Sequence, residues 1–261
     1  MNNTKIFLKN EEIMRKIIRA AELDKSSSIV WEIGAGDGRL TRFIAEAAKK
    51  VYAVEKDIFW LDAAKSRLSG FDNITFIQGD ALKIDISDDV NRIISNLPYA
   101  ISSPITERIL YFMNKHQDSF AVLMYQKEFA DRMLAFPGLH EYSMLSVFVQ
   151  YLCTVEKIAD VSRVNFKPMP EVDSSIVRLK PKNVEIDESF LGLSRLLFQH
   201  KNKNLYSAII DSRHKLGIKS KEGIREKISG MDESLLNKKV FSLGIDDLFR
   251  VYTDLKKRSI W

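Results

Sequence analysis

Cysteine is nearly absent from this sequence, with Cys153 the single one in 261 residues. A disulfide framework is thereby excluded, and a reducing compartment is expected. Cys153 falls in the apolar run Val147 to Val155, where a thiol acts as a small hydrophobe rather than a reactive group. Proline and glycine are scarce, at 6 and 11 residues, which removes collagen-like and low-complexity architectures. No uninterrupted apolar stretch approaches the ~20 residues of a membrane span. The start of the chain carries Lys5, Lys9, Glu11, Glu12, Arg15 and Lys16, so it lacks the apolar centre of a signal peptide. The expectation is a cytoplasmic monomer with no membrane partner. What the chain does have is charge: 29% of its residues are Asp, Glu, Lys or Arg and the formal net charge is +5, a mild lean toward polyanions such as nucleic acid.

Strand and helix patterns alternate through the first two thirds. Glu11 to Leu23 repeats apolar residues at helical spacing, and Ser28 to Ile33 reads as a buried strand. The glycine-rich turn Gly34 to Gly38 leads into a helix over Leu40 to Lys49, and Val51 to Val54 is a second strand, so the segment is a βαβ unit. A helix over Ile58 to Leu68 and strands over Ile74 to Gln78 and Arg92 to Ser95 follow. Ser102-Ser103-Pro104 predicts a hydroxyl-capped helix start with Pro at the first position. Phe120 to Tyr125, the apolar run Met144 to Val155 and Ser174 to Leu179 complete a parallel sheet with an antiparallel edge, and Lys127 to Leu134 is a further helix. From about Glu188 onward only helical spacing recurs, among many charges. The fold class is α/β with a small all-helical C-terminal domain.

The segment Trp31 to Gly38 stands where α/β sheets bind nucleotides, at the carboxyl end of the first strand of the sheet. A dinucleotide fingerprint would put a third glycine where Arg39 stands, which speaks against a nicotinamide cofactor. Glu55, directly after the second strand, is placed to accept from both hydroxyls of a ribose. Asp80, in Gly79-Asp80-Ala81 after the third, is placed to accept from an adenine amine. The bland readings are a helix-cap charge for Glu55 and a turn former for Asp80. Ribose and adenine recognition with no diphosphate site point to S-adenosylmethionine, with Gly34 and Gly36 approaching it by their backbone.

Asn96-Leu97-Pro98-Tyr99 ends the strand Arg92 to Ser95. An exocyclic amine such as adenine N6 is a poor nucleophile because its lone pair is delocalised into the ring. The Asn96 amide oxygen and the Leu97 carbonyl can each accept one N6 hydrogen and favour a pyramidal nitrogen. Pro98 stiffens the turn, and Tyr99 offers a face on which a base stacks. An ordinary turn leaving a strand is the alternative reading. Such chemistry asks for no metal, and no cluster of His and Cys ligands is evident.

The stretches FLKN, EIGAGDGRLT, VYAVEKD, GDALK, NLPYAISSPI, VLMYQKEFADRM, NFKPMPEVDSSIVRL and FQHKNK occur in this order over nearly the whole chain. With them the sequence resembles the ribosomal RNA small-subunit adenine N6,N6-dimethyltransferase family, most of all its archaeal type. The resemblance implies a Rossmann-like S-adenosylmethionine-dependent methyltransferase domain over 1–182 and a helical RNA- and ribosome-binding domain over 183–261. It implies conversion of two adjacent adenines in the 3′-terminal hairpin of small-subunit rRNA to N6,N6-dimethyladenine, with the immature small subunit as partner. Carried over, the cofactor positions are Ile6, Leu8, Gly34, Gly36, Glu55, Asp80 and Asn96. The catalytic ones are Asn96, Leu97, Pro98 and Tyr99, with Phe166 as a second aromatic against the target adenine; the bland reading of Phe166 is a core aromatic.

The chain departs from the family at Lys5 and Ile6, where a Gln and then His or Asn are usual, and at Ser143-Met144, where Gly-Arg is usual. The helical segment carries Arg195, Lys201, Lys203, Arg213, Lys221 and Arg225, a density suited to tracking RNA phosphates or simply a solvated helix face. Two other functions stay open: a large-subunit rRNA adenine dimethyltransferase, and an assembly factor that acts mainly by binding.

Overall fold

A computed structural model describes residues 5–261. The chain forms two compact units, one running up to Ala130 and resuming over Leu152–Val184, the other formed by Asp131–Tyr151 with Glu185–Trp261.

The first unit begins with the short strand β1 (Phe7–Leu8) and helix α1 (Glu11–Ala20). Asn10 starts α1 by accepting from the Glu12 amide at 2.9 Å, and Met14, Ile17 and Ala20 form its buried stripe. The βαβ pattern then unfolds as β2 (Ile29–Ile33), α2 (Arg39–Ala47), β3 (Lys50–Glu55), α3 (Ile58–Arg67) and β4 (Ile74–Gln78). After these come β5 (Arg92–Asn96), α4 (Ser102–Lys115), β6 (Phe120–Gln126), α5 (Lys127–Leu134) and α6 (Met144–Leu152). Of these, α5 from Asp131 on and α6 up to Tyr151 belong to the second unit, and the strands β7 (Cys153–Val161), β8 (Phe166–Lys167) and β9 (Ser174–Pro181) end the first.

Seven strands form one sheet in the order β4-β3-β2-β5-β6-β9-β7. From β4 to β6 neighbours are parallel, whereas β9 is antiparallel to both β6 and β7. The chain builds outward from β2 to β4, then returns to lay β5 on the other side of β2. That reversal opens a crevice at the carboxyl ends of β2 and β5, where α/β folds bind ligands. β2 and β6 are buried along almost their whole length, as strands covered on both faces must be. Gly38 turns the chain into α2 at φ +81°, and a Cβ there would stand 2.9 Å from Leu68 Cδ1, so glycine is required.

Three expectations change. The run Met144 to Val155 is not one strand: it is α6 followed by β7, because a short, mostly apolar stretch with only Ser146, Gln150 and Thr154 to break it carries little period that separates helix from strand. The hydroxyl cap at Ser102 is absent, since a 3₁₀ turn over Tyr99–Ile101 runs directly into α4 and makes Ser102 a helical residue. The division at 182/183 also differs from the one observed, in which 131–151 joins the helical unit rather than the sheet unit.

The second unit holds α7 (Glu188–Phe198), α8 (Leu205–Ser212), α9 (Lys221–Ile228), α10 (Glu233–Leu236) and α11 (Ile245–Lys257). Aromatic rings explain why 131–151 belongs with them. Tyr142 packs on Phe198 at 5.8 Å between centroids and Tyr151 on Phe190 at 5.2 Å, while Phe190 stacks on Phe249 at 3.8 Å. Asp187 caps α7 and also accepts from the Tyr252 hydroxyl at 2.9 Å. Among the described residues, no helix is long and apolar enough to cross a membrane.

Candidate cofactor cleft and catalytic loop

The crevice at the ends of β2, β3 and β5 is a cleft of about 670 Å³ within the first unit. Its floor starts where β2 ends. The amides of Gly34 and Ala35 donate to the Val54 carbonyl at 2.8 and 3.0 Å, which holds the glycine loop against β3. The Gly36 amide donates to Oε2 of Glu55 at 2.8 Å, and the Asp57 amide to Oε1 at 3.1 Å. Glu55 is 4% exposed, so these donors fix a buried carboxylate on the cleft wall. Lys5 also donates to Oε2 of Glu55.

The expected positions Ile6, Leu8, Gly34, Gly36, Glu55 and Asn96 all line the cleft, as do Leu97, Pro98 and Tyr99. Asp80 does not. One of its oxygens accepts from the Leu82 amide at 3.0 Å and the other from Lys56 Nζ at 3.0 Å, and these donors hold its carboxyl below the usual range. Lys56, which does line the cleft, therefore links Asp80 to the site. Asp37 lines the cleft but is engaged with Arg39 at 2.8 Å and Arg67 at 3.4 Å, a turn-stabilising role.

Asn96 is the last residue of β5, where it pairs in register with Met124 of β6. The turn after it is fixed from both sides. Ser95 Oγ donates to the Ile33 carbonyl at 2.6 Å, and the Leu97 amide reaches the Met124 carbonyl at 3.3 Å. The Tyr99 hydroxyl shares a 2.8 Å hydrogen bond with Ser174 Oγ, and burial pushes its ionisation upward, so it stays a neutral phenol. Among the described residues, neither the Asn96 side-chain amide nor the Leu97 carbonyl has a hydrogen-bond partner, and both residues border the cleft.

Phe166 lies elsewhere. It is 2% exposed in the core of the unit with Leu8 and Met14, and it does not line the cleft. Its backbone pairs with Leu8, joining β8 to β1. Through that pairing Phe166 holds the N-terminal segment in place, the core role that was its bland reading.

Several site residues escaped the sequence reading. Glu32 lines the cleft from inside β2 at 1% exposure, and its Oε2 has no hydrogen-bond partner among the described residues. Burial raises its carboxyl to about 8. An orphaned, buried carboxylate oxygen on a ligand cleft is a strong feature, because leaving it unpaired costs on the order of 1–3 kcal/mol. The signal was present as a glutamate inside an otherwise apolar strand. Phe7 and Trp60 also line the cleft, their rings 4.6 Å apart and tilted by 60°, and a Cβ on Gly36 would stand 3.0 Å from Phe7 Cε1, so only glycine allows that closeness.

A glycine loop and buried carboxylate at the switch point of a mostly parallel sheet, beside a strand-end Asn-Leu-Pro-Tyr loop, define a Rossmann-like methyltransferase. Comparison with known proteins narrows the class. Residues 2–233 match the model of the family described as ribosomal RNA adenine dimethylase. A "Probable ribosomal RNA small subunit methyltransferase A" of Methanococcus aeolicus is 40% identical, covering 96% of this chain and 94% of that protein. A protein of the same description from Methanopyrus kandleri is also 40% identical, covering 91% and 85%. Among solved structures, a dimethyladenosine transferase from Plasmodium falciparum superposes with a TM-score of 0.82 at 31% identity, covering 97% of this chain and 98% of that one. The 23S rRNA methyltransferase ErmE shares the fold, with a TM-score of 0.66 at 23% identity over 96% and 99% of the two chains. The chain belongs to the ribosomal RNA adenine dimethylase family.

Proposed function

We propose that this protein transfers methyl groups from S-adenosylmethionine to N6 of two adjacent adenines in the 3′-terminal hairpin of small-subunit rRNA, giving N6,N6-dimethyladenine. It does so as a cytoplasmic monomer during small-subunit assembly. The observation that carries the chemistry is the pair of unpartnered acceptors, the Asn96 amide oxygen and the Leu97 carbonyl, on the border of a cleft that fits a nucleoside cofactor. The descriptions of the archaeal relatives support the choice of the small subunit.

The residues of the cleft fit S-adenosylmethionine. Glu55 would hold the ribose diol, the loop at Gly34 and Gly36 would approach the ligand by its backbone, and the orphaned Oε2 of Glu32 suits its ammonium. Asp80, held at the rim through Lys56, would take the adenine amine. When bound, the cofactor supplies an electrophilic methyl on a sulfonium leaving group. The chain's own residues then act on the nucleophile. Asn96 and Leu97 each accept an N6 hydrogen and hold the amine with its lone pair directed out of the base plane. Pro98 limits the freedom of the turn, and Tyr99, anchored by Ser174, presents a ring for the extruded base.

In the helical unit, an open groove of about 620 Å³ is lined by Lys203, Lys221, Arg225 and Lys239 together with Asp211, which pairs with Lys203 at 2.6 Å. Lys221 and Arg225 stand at i,i+4 on α9, and the single carboxylate of the groove, Asp211, acts on both Lys203 and Lys221, so the lining keeps an excess of positive charge. This supports contact with rRNA phosphates. The test is transfer of labelled methyl groups to undermodified small subunits, followed by nucleoside analysis. Labelled N6,N6-dimethyladenine in the 3′-terminal hairpin is expected, and label confined to large-subunit RNA would overturn the assignment.

A further inference from the structure

Lys5 lies across the two features that a nucleoside ligand would use. Its ammonium donates to Oε2 of Glu55, and its stem passes over the glycine loop, where a Cβ on Gly36 would stand 3.5 Å from Lys5 Cε. The side chain is 23% exposed and the carboxylate 5%, so the pair is well shielded from solvent.

The acceptor capacity of Glu55 decides what this means. A carboxylate offers about four acceptor positions, two on each oxygen. On Oε2 they are taken by the Gly36 amide and Lys5, and on Oε1 one is taken by the Asp57 amide. A single position is left, whereas a ribose diol brings two hydroxyl donors. Removal of Lys5 would leave one open position on each oxygen, which is what a bidentate diol requires.

Resting on the reading of this cleft as an adenosyl-cofactor site, we propose that Lys5 sets cofactor affinity by competing with the ribose diol for Glu55. Binding exchanges the Lys5 ammonium for a ribose hydroxyl. The exchange needs only rotation about the torsions of one lysine side chain. The backbone pairing of Leu8 with Phe166 and the tilted packing of Phe7 against Trp60 stay as they are. The competitor is lost when the charge is removed and kept when another cation replaces it.

The experiment is calorimetric titration of the full chain with S-adenosylhomocysteine, which carries the diol and cannot turn over, for the wild type, Lys5→Met and Lys5→Arg. A parallel titration uses the 2′,3′-dideoxy analogue, and the change in tryptophan fluorescence, to which Trp60 on the cleft wall contributes, gives a second readout of cleft occupancy. Lys5→Met should bind S-adenosylhomocysteine about tenfold more tightly, a difference of about 1.4 kcal/mol. Lys5→Arg should stay within about twofold of the wild type, and the dideoxy analogue should show no gain in Lys5→Met. Should Lys5→Met melt early, Lys5→Leu, which likewise has no donor, takes its place with the same expectation. Equal or weaker binding by the uncharged variants would overturn the proposal, since Lys5 would then be a bystander or a ligand donor. No binding by the wild type or any folded variant would overturn the cofactor assignment itself, and the proposal with it.

Discussion

The Gly36 amide donates to Oε2 of Glu55 at 2.8 Å, tying the loop after β2 to the end of β3. One carboxylate thus shapes the glycine loop and faces the cleft. Glu55→Gln should therefore weaken binding of S-adenosylhomocysteine by roughly ten- to a hundredfold, the range of charge-assisted hydrogen bonds. It should also lower stability by about 1–3 kcal/mol, because the Gly36 and Asp57 amides would share one uncharged acceptor. Calorimetric titration and chemical denaturation check the two effects; unchanged ligand affinity in a folded variant would remove Glu55 from the cofactor site.

Asn96 differs from Glu55 in that its side-chain amide is held by nothing among the described residues, so its substitution should leave the fold intact. Asn96→Ala is expected to reduce methyl transfer to small subunits by about a hundredfold or more, in line with the loss of one preorganised polar group at a reacting atom. Affinity for the RNA should stay within about twofold. A filter-binding assay beside a single-turnover transfer assay separates the two quantities. Loss of RNA binding with transfer preserved per bound complex would contradict the role assigned to the amide.

How much of this site could be read from the chain follows from which contacts are local. β2, β3 and β5 were legible because parallel strands buried on both faces appear as short, largely apolar runs, and Glu55 and Asn96 follow directly from the strand ends they occupy. Met144–Leu152 was not, since its only polar residues, Ser146 and Gln150, are too few to mark a helical period and both turn inward to the backbone carbonyls of Arg132, Met133 and Ala135. The pairing of Leu8 with Phe166 and the bond from Lys5 to Glu55 join residues far apart in the chain, through strands too short or a side chain too flexible to leave any local pattern. Glu32 is the one charged residue of its strand, a mark that passes for a strand irregularity until the structure shows that its Oε2 lacks a partner among the described residues.

Glu32 gives the protein a pH signature. Burial raises its carboxyl from 4.5 to about 8, so the folded state holds its proton over a range in which the unfolded chain has lost it. The sign follows: no penalty exists below about pH 4.5, the penalty grows as pH rises from there to about 8, and it is constant beyond. Glu32→Gln should thus stabilise the ligand-free protein at pH 9, by an amount on the order of a few kcal/mol, and have little effect of this origin at pH 4.5. Ligation of a cationic amine favours the carboxylate, so cofactor binding near pH 7 should release a proton in the wild type and none from this group in Glu32→Gln. Melting curves across pH, with titrations in buffers of different ionisation enthalpy, measure both. A pH-independent difference in stability would show that Glu32 does not titrate in this range.

Phe166 separates a core role from a base-stacking one. At 2% exposure, packed with Leu8 and Met14 and away from the cleft wall, its ring acts on the site only through the strand pair that holds residues 7 and 8. Phe166→Ala should lower stability by about 3–5 kcal/mol, as large-to-small core substitutions of Phe do. Phe166→Leu keeps most of the apolar volume and should lose less than that, while methyl transfer by the folded protein stays within about threefold of the wild type. A stacking partner would behave otherwise: replacing the ring by an aliphatic chain would forfeit roughly 1–3 kcal/mol of contact with the base, seen as a rise in the KM for RNA with little change in melting temperature. Measuring KM and melting temperature together on Phe166→Leu decides between them, and a ten- to hundredfold rise in KM at wild-type stability would return Phe166 to the base pocket.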